Sequence, residues 1–152
     1  MGIVVVGHWD LSWNTPIKEA ELWALPLRDF EVDDWRMWPV SGIRNAEPEV
    51  TLTEHPSLQE ALAGLGGLLW VFLESRQEVL GVTPTSTLVH FKHPEDAVYI
   101  FGSAHYNPVA AGHPRDGDAV VELETMQNKG LLWPHQVLVA VLHDRMVKQW
   151  RS

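Results

Sequence analysis

The chain has 152 residues, 45 % of them hydrophobic, which suits one globular domain over 1–152 and leaves too little for two useful cores. It contains no cysteine, which excludes disulfides, a zinc ribbon and a thiol nucleophile. A formal net charge of −9 opposes long-range attraction to polyanions, so tight non-specific nucleic-acid binding is disfavoured.

The opening Gly2-Ile-Val-Val-Val-Gly7 is a β-branched run between glycines and predicts a strand buried on both faces. Asn14-Thr15-Pro16 is a helix start, with the helix running through Ile17, Leu22 and Trp23 to a stop at Pro26. Val32 to Trp38 reads as a second strand, Pro39 to Pro48 as loop, and Val50 to Thr53 as a short extended piece. Ser57-Leu-Gln-Glu60 is a capping box that opens a helix through Ala61, Leu62 and Leu65, ended by Gly66-Gly67. Leu68–Leu73, Asp96–Phe101 and Ala119–Leu123 follow as apolar strands. Pro134 to Trp150 is the longest helix, with Val137, Leu138, Val141, Leu142 and Trp150 on one face.

Strands that are apolar on both faces and alternate with helices predict an α/β fold with a mostly parallel sheet and flanking helices. The eight tryptophans are assigned to core or interface, where a large ring with one donor is favoured. Met1–Gly7 has no basic leader and Val137–Leu142 is too short to span a bilayer, which predicts a cytoplasmic protein off the membrane.

Several familiar chemistries are poorly supported. Gly64-Leu-Gly-Gly67 follows a helix and precedes a strand, the reverse of a phosphate loop, so it reads as a helix stop. His90, His93, His105 and His113 read as partly exposed loop histidines rather than a metal set. No G-x-S-x-G elbow is present.

One constellation is more informative. His93-Pro-Glu-Asp-Ala-Val-Tyr-Ile-Phe-Gly102 is a turn, a buried strand and a glycine at the strand's carboxyl end, where open α/β sheets bind ligands. A second strand, Val120–Leu123, leads into Thr125-Met126, a glycine-bearing loop and the long helix. With the opening strand and Asn14-Thr15 at the first helix, this order resembles the SpoU/TrmH branch of the SPOUT RNA methyltransferases over nearly the whole chain. The resemblance implies a trefoil knot in the C-terminal half, which generic topology rules would not predict. It implies S-adenosylmethionine held mostly by backbone in loops after Leu73, Phe101 and Leu123. Those loops offer Leu73, Gly102, Met126, Leu131 and Leu132 as cofactor-binding positions, and Asn14 as an orienting residue.

The chain departs from the family at three places. The family's arginine six residues after the asparagine is here Ala20, between Glu19 and Glu21, a carboxylate pair that would repel phosphate. The family's glutamate after Phe-Gly is replaced within Ser103-Ala104-His105-Tyr106, and its Ser-x-Asn by Leu131-Leu132-Trp133. His105 is the replacement candidate for a base, since it follows the glycine of the cofactor loop and an imidazole can take up a proton. The resulting expectation is a SPOUT methyltransferase homologue related to tRNA and rRNA 2′-O-ribose methyltransferases, with altered or absent activity. The alternative is a non-catalytic binding or regulatory protein acting through a protein partner. The resemblance also implies a homodimer, for which Trp23, Val137, Val141 and Trp150 are the expected contact residues.

Overall fold

The computed structural model describes residues 2–10, 16–43, 50–74, 84–126 and 132–151. Seven strands form one parallel sheet: β1 (Ile3–His8), β2 (Asp34–Trp38), β3 (Thr51–Glu54), β4 (Leu69–Glu74), β5 (Ser86–Thr87), β6 (Ala97–Phe101) and β7 (Ala119–Glu122). Their order is β3-β2-β1-β6-β4-β7-β5, so β6 lies between β1 and β4, and β7 between β4 and β5. One row of partners, Met37, Gly7, Phe101, Leu73 and Val121, crosses five strands near their carboxyl ends.

Period-two alternation sorts the side chains between two layers. On one face Val5, Trp35, Met37, Val71, Tyr99, Phe101 and Val121 pack under α1 (Pro16–Asp29) and α3 (Pro134–Trp150). On the other, Val4, Val6, Trp38, Phe72, Val98, Ile100 and Val120 meet α2 (Leu58–Ala61) and the turn after it. Gly7 is required where it stands: a Cβ there would lie 2.5 Å from Cη2 of Trp23, which is fully buried over β1.

Two helix ends differ from expectation. Pro26 does not stop α1, which continues to Asp29. Proline forfeits its own N–H, but its carbonyl still accepts from Phe30 N at 2.9 Å, and Leu27 O accepts from Val32 N at 2.8 Å. The stop is Glu31, whose φ of 59° is a left-handed conformation more often given to glycine. The second helix is shorter than its capping box suggested: Ser57 Oγ accepts from Glu60 N, yet α2 ends at Ala61. Gly64, at φ 81°, redirects the chain into turns that still bury Leu62 and Leu65. β5 was not legible, having only two residues and no apolar pattern.

The terminal half of α3 is tied down by polar groups. Arg145 donates to Pro94 O and Glu95 O, and Lys148 to Leu88 O and Phe91 O. His93 is not a partly exposed loop residue: its side chain is 1 % exposed. Its Nδ1 lies 2.7 Å from Tyr99 Oη and its Nε2 2.7 Å from Asp144 Oδ2. Burial pushes its pKa down, against the pull of Asp144.

The expected contact residues Trp23, Val137 and Val141 are instead core residues of this chain. Four tryptophans are buried, Trp9, Trp23, Trp35 and Trp38, while Trp133 and Trp150 are exposed at the two ends of α3. No described helix is long and apolar enough to cross a membrane.

Candidate functional site

β1 sits where the strand order reverses. The chain steps outward through β2 and β3, then returns to place β6 on the other side of β1. Loops leaving the carboxyl ends of such neighbours part and leave a crevice, the usual ligand position in open α/β sheets. Gly7 and Phe101 are paired, so the residues after them emerge side by side.

His8 and Ser103 meet there, with Nδ1 and Oγ 2.7 Å apart. The His8 ring stacks on Tyr106 at 5.4 Å and 21°, and meets Trp38 edge-on at 5.1 Å. Burial, and then the charge of nearby His105, lower the His8 pKa to about 4, with Asp10 working in the opposite direction. His8 is therefore neutral at pH 7.

Asp10 and His105 form the second contact across the crevice, with Oδ1 3.1 Å from Nε2. Asp10 is held from α1, since its backbone N–H donates to Oε2 of Glu19 at 2.8 Å. Glu19 is 2 % exposed and Ala20 is buried beside it, while Glu21 pairs outward with Lys18. Glu19 and Glu21 are thus not a pair facing a phosphate: one is an internal anchor, the other a surface residue. His135, in the first turn of α3, belongs to the same neighbourhood. Burial lowers its pKa and Asp10 raises it.

The loop after β6 is a tight turn in which Ser103 N donates to Tyr106 O at 2.9 Å. Ser103 Oγ accepts from His105 N at 3.1 Å, and Tyr106 Oη lies 2.6 Å from His113 Nε2. A Cβ on Gly102 would stand 2.5 Å from Tyr106 O and 2.9 Å from Pro108 Cδ. The space that a larger residue at 102 would enter is therefore filled by the chain's own loop.

The ends of β4, β6 and β7 lie together beside this crevice. Leu73 pairs with Phe101 and Val121 and is packed into the core. Asn107 Nδ2 donates to the buried Glu74 carboxylate, and Leu123 N to Glu74 O at 3.1 Å, which joins the exits of all three strands. Of the other sequence-derived positions, Met126 is fully exposed and Leu132 is 41 % exposed. Asn14 and Leu131 lie outside the described residues.

The structure thus brings His105 to a carboxylate, as a proton-handling role needs. It adds three groups the sequence did not single out: His8, Asp10 and Ser103. No spacing rule joins them, because β1 and β6 become neighbours only when the sheet forms. The available signal was positional: His8 and Asp10 follow the glycine that ends an apolar strand.

No protein-family profile and no curated protein matches the sequence. Solved structures do match in shape. A structure described for the 2-OH methylation of C/U34 on tRNA superposes with a TM-score of 0.71 at 10 % identity, over 97 % of this chain and 91 % of that one. This chain has the SpoU/TrmH fold. The SpoU methyltransferase AviRb from Streptomyces viridochromogenes, in complex with AdoMet, matches at TM-score 0.63 and 8 % identity, over 100 % of this chain and 61 % of that one. TrmJ from Z. mobilis matches at 0.55 and 17 % identity, over 95 % and 67 %. The parallel-sheet α/β fold with flanking helices is therefore shared with these proteins at 8–17 % identity.

Proposed function

We propose that this protein is an S-adenosylmethionine-dependent methyltransferase of the SPOUT type, with His105 as the base on the acceptor side and Asp10 as its partner. The observation that carries this reading is the Asp10–His105 contact at the switch point of the SpoU/TrmH fold. The exits of β6, β4 and β7 are adjacent, the order needed for a cofactor held by the backbone of three loops. Leu73 and Gly102 supply an apolar wall and a backbone group there, and Met126, Leu131 and Leu132 complete the proposed lining. A C-terminal trefoil knot and a cytoplasmic location belong to the same proposal.

When bound, S-adenosylmethionine supplies an activated methyl group. The protein must place an acceptor and take its proton. With the Nε2 proton of a neutral His105 facing Asp10 Oδ1 at 3.1 Å, Nδ1 keeps its lone pair as the proposed proton acceptor. Asp10 fixes the tautomer and stabilises the imidazolium that forms. This relation needs no acid at Ala104. A ribose 2′-hydroxyl of tRNA or rRNA is the acceptor implied by the fold, with Asn14 orienting it.

A second reading is favoured by a different observation. Ala20 is buried, the segments 102–113 and 123–126 carry no lysine or arginine, and the loop fills the space at Gly102. A protein with these features can bind a ligand or partner without gripping RNA. Calorimetry with S-adenosylmethionine and transfer of labelled methyl to tRNA and rRNA separate the two. Micromolar binding with transfer that is lost in His105→Ala supports the enzyme. Binding without transfer on either RNA supports the non-catalytic protein, and no binding at millimolar ligand removes the cofactor claim.

The proposed assembly is a homodimer, with a different face from the one first expected. Leu22, Leu25 and Pro26 of α1, with Trp133, His135 and Val139 of α3, line an apolar groove of about 440 Å³. This groove borders the site through His135.

A further inference from the structure

Resting on that reading of His105, we infer that His8 is a positioning residue, whose neutral imidazole accepts the Ser103 hydroxyl and thereby fixes the backbone that presents His105.

His8 is assigned the tautomer with its proton on Nε2. Ser103 Oγ accepts the amide N–H of His105 at 3.1 Å. In that tautomer Ser103 directs its own hydrogen to His8 Nδ1, 2.7 Å away. The serine is thus a link with two ends, one on the rigid carboxyl end of β1 and the other on the amide of the proposed base. Ring contacts hold His8 in place for this. It is stacked on Tyr106 and meets the buried Trp38 edge-on, so its Nδ1 has little freedom to swing away.

The arrangement has a chemical purpose that packing alone would not need. His105 is 58 % exposed at its side chain, and an exposed imidazole wanders unless its backbone and one ring nitrogen are both held. Asp10 holds the ring nitrogen and the His8–Ser103 link holds the backbone. One anchor is the last residue of β1 and the other lies two residues beyond it, so the base is tied to the end of that strand rather than only to its own loop. Displacements of about 1 Å cost heavily in reactions that depend on alignment. An apolar residue at 8 could fill the same volume but would leave Ser103 without its acceptor.

Amide hydrogen exchange of the free protein tests this, with three variants. His8→Phe keeps a ring against Tyr106 and removes the acceptor. Ser103→Ala removes only the hydroxyl, and so serves if the ring change prevents folding. His8→Asn restores an acceptor close to the place of Nδ1. Exchange at the His105 amide should quicken at least about tenfold in His8→Phe and in Ser103→Ala, and return near the wild-type rate in His8→Asn. Unchanged exchange in both of the first two variants would overturn the inference. So would a His8→Asn variant as fast as His8→Phe, because ring shape would then be what matters. The readout needs no cofactor or substrate. A failure of methyl transfer would therefore count against His105 as base, while exchange alone decides the role of His8.

Discussion

Trp9 and Glu54 are joined at the carboxyl ends of β1 and β3, with the indole Nε1 donating to Oε2 at 2.6 Å. The same carboxylate takes Ser41 N at 2.9 Å on Oε2 and Gly42 N at 2.9 Å on Oε1. It therefore fastens the turn after β2 to the segment that leaves β1, between His8 and Asp10. Glu54→Ala leaves these donors without their acceptor and should cost about 2–4 kcal/mol. Glu54→Gln keeps one oxygen and should cost less. Urea unfolding checks both, and an alanine variant within about 0.5 kcal/mol of wild type would contradict this anchoring.

Stability should fall on mild acidification. His8 is held down to about 4, chiefly by burial, and His93 and His135 are lowered for the same first reason. An unfolded histidine titrates near ~6.5, so between those values the unfolded chain binds more protons. The stability contributed by a neutral His8 is complete above about pH 6.5 and is lost as pH falls toward about 4. Urea midpoints across that window should decline, and His8→Phe should make the decline shallower. A midpoint independent of pH would contradict the assignment.

Gly102→Ala should destabilise the protein by about 1–3 kcal/mol, because its Cβ meets the Tyr106 carbonyl and the Pro108 ring rather than open space. Amide shifts of residues 103–108 should change with it. A variant of wild-type stability would show that the loop yields freely. A lost ligand in a Gly102 variant therefore need not mean direct contact with that ligand.

The α1–α3 groove predicts the assembly. The chain should sediment at about twice 17.2 kDa at micromolar concentration. Val139→Glu should give the single-chain mass with the melting temperature little changed, because Val139 is 45 % exposed in one chain. A wild-type monomer throughout that range would exclude the groove as a self-contact.

RNA affinity should be weak and sensitive to salt. Retention of bulk tRNA should vanish by about 200 mM salt if few phosphates are contacted. Binding that survives such salt would point to a site read by shape or bases.

The sheet was largely readable because its strands are apolar on both faces: Ile3–Val6 and Ala97–Phe101 carry that pattern without interruption. Long α3 was readable from its period and from Pro134 at its start. Element ends were less so, since Pro26 is tolerated where Phe30 and Val32 close the turn, and Gly64 shortens α2. Of the four candidate-site residues, His105 alone was singled out, beside the Phe-Gly signature. His8, Asp10 and Ser103 were not, because their meaning arises from the pairing of Gly7 with Phe101. Trp23 shows the other limit: an apolar stripe on a helix does not tell whether it faces its own sheet or a second molecule.

The place of β4 bears on how the chain is made. All its strand partners, β6 on one side and β7 on the other, come later in the sequence. During synthesis it leaves the ribosome as an apolar segment with no neighbour to receive its hydrogen bonds. Three further strands, β5, β6 and β7, must be translated before both its edges are covered. Ribosomes stalled between these strands would hold an exposed Leu-Trp-Val-Phe-Leu edge, the kind of surface that chaperones shield and that other unfinished chains can capture.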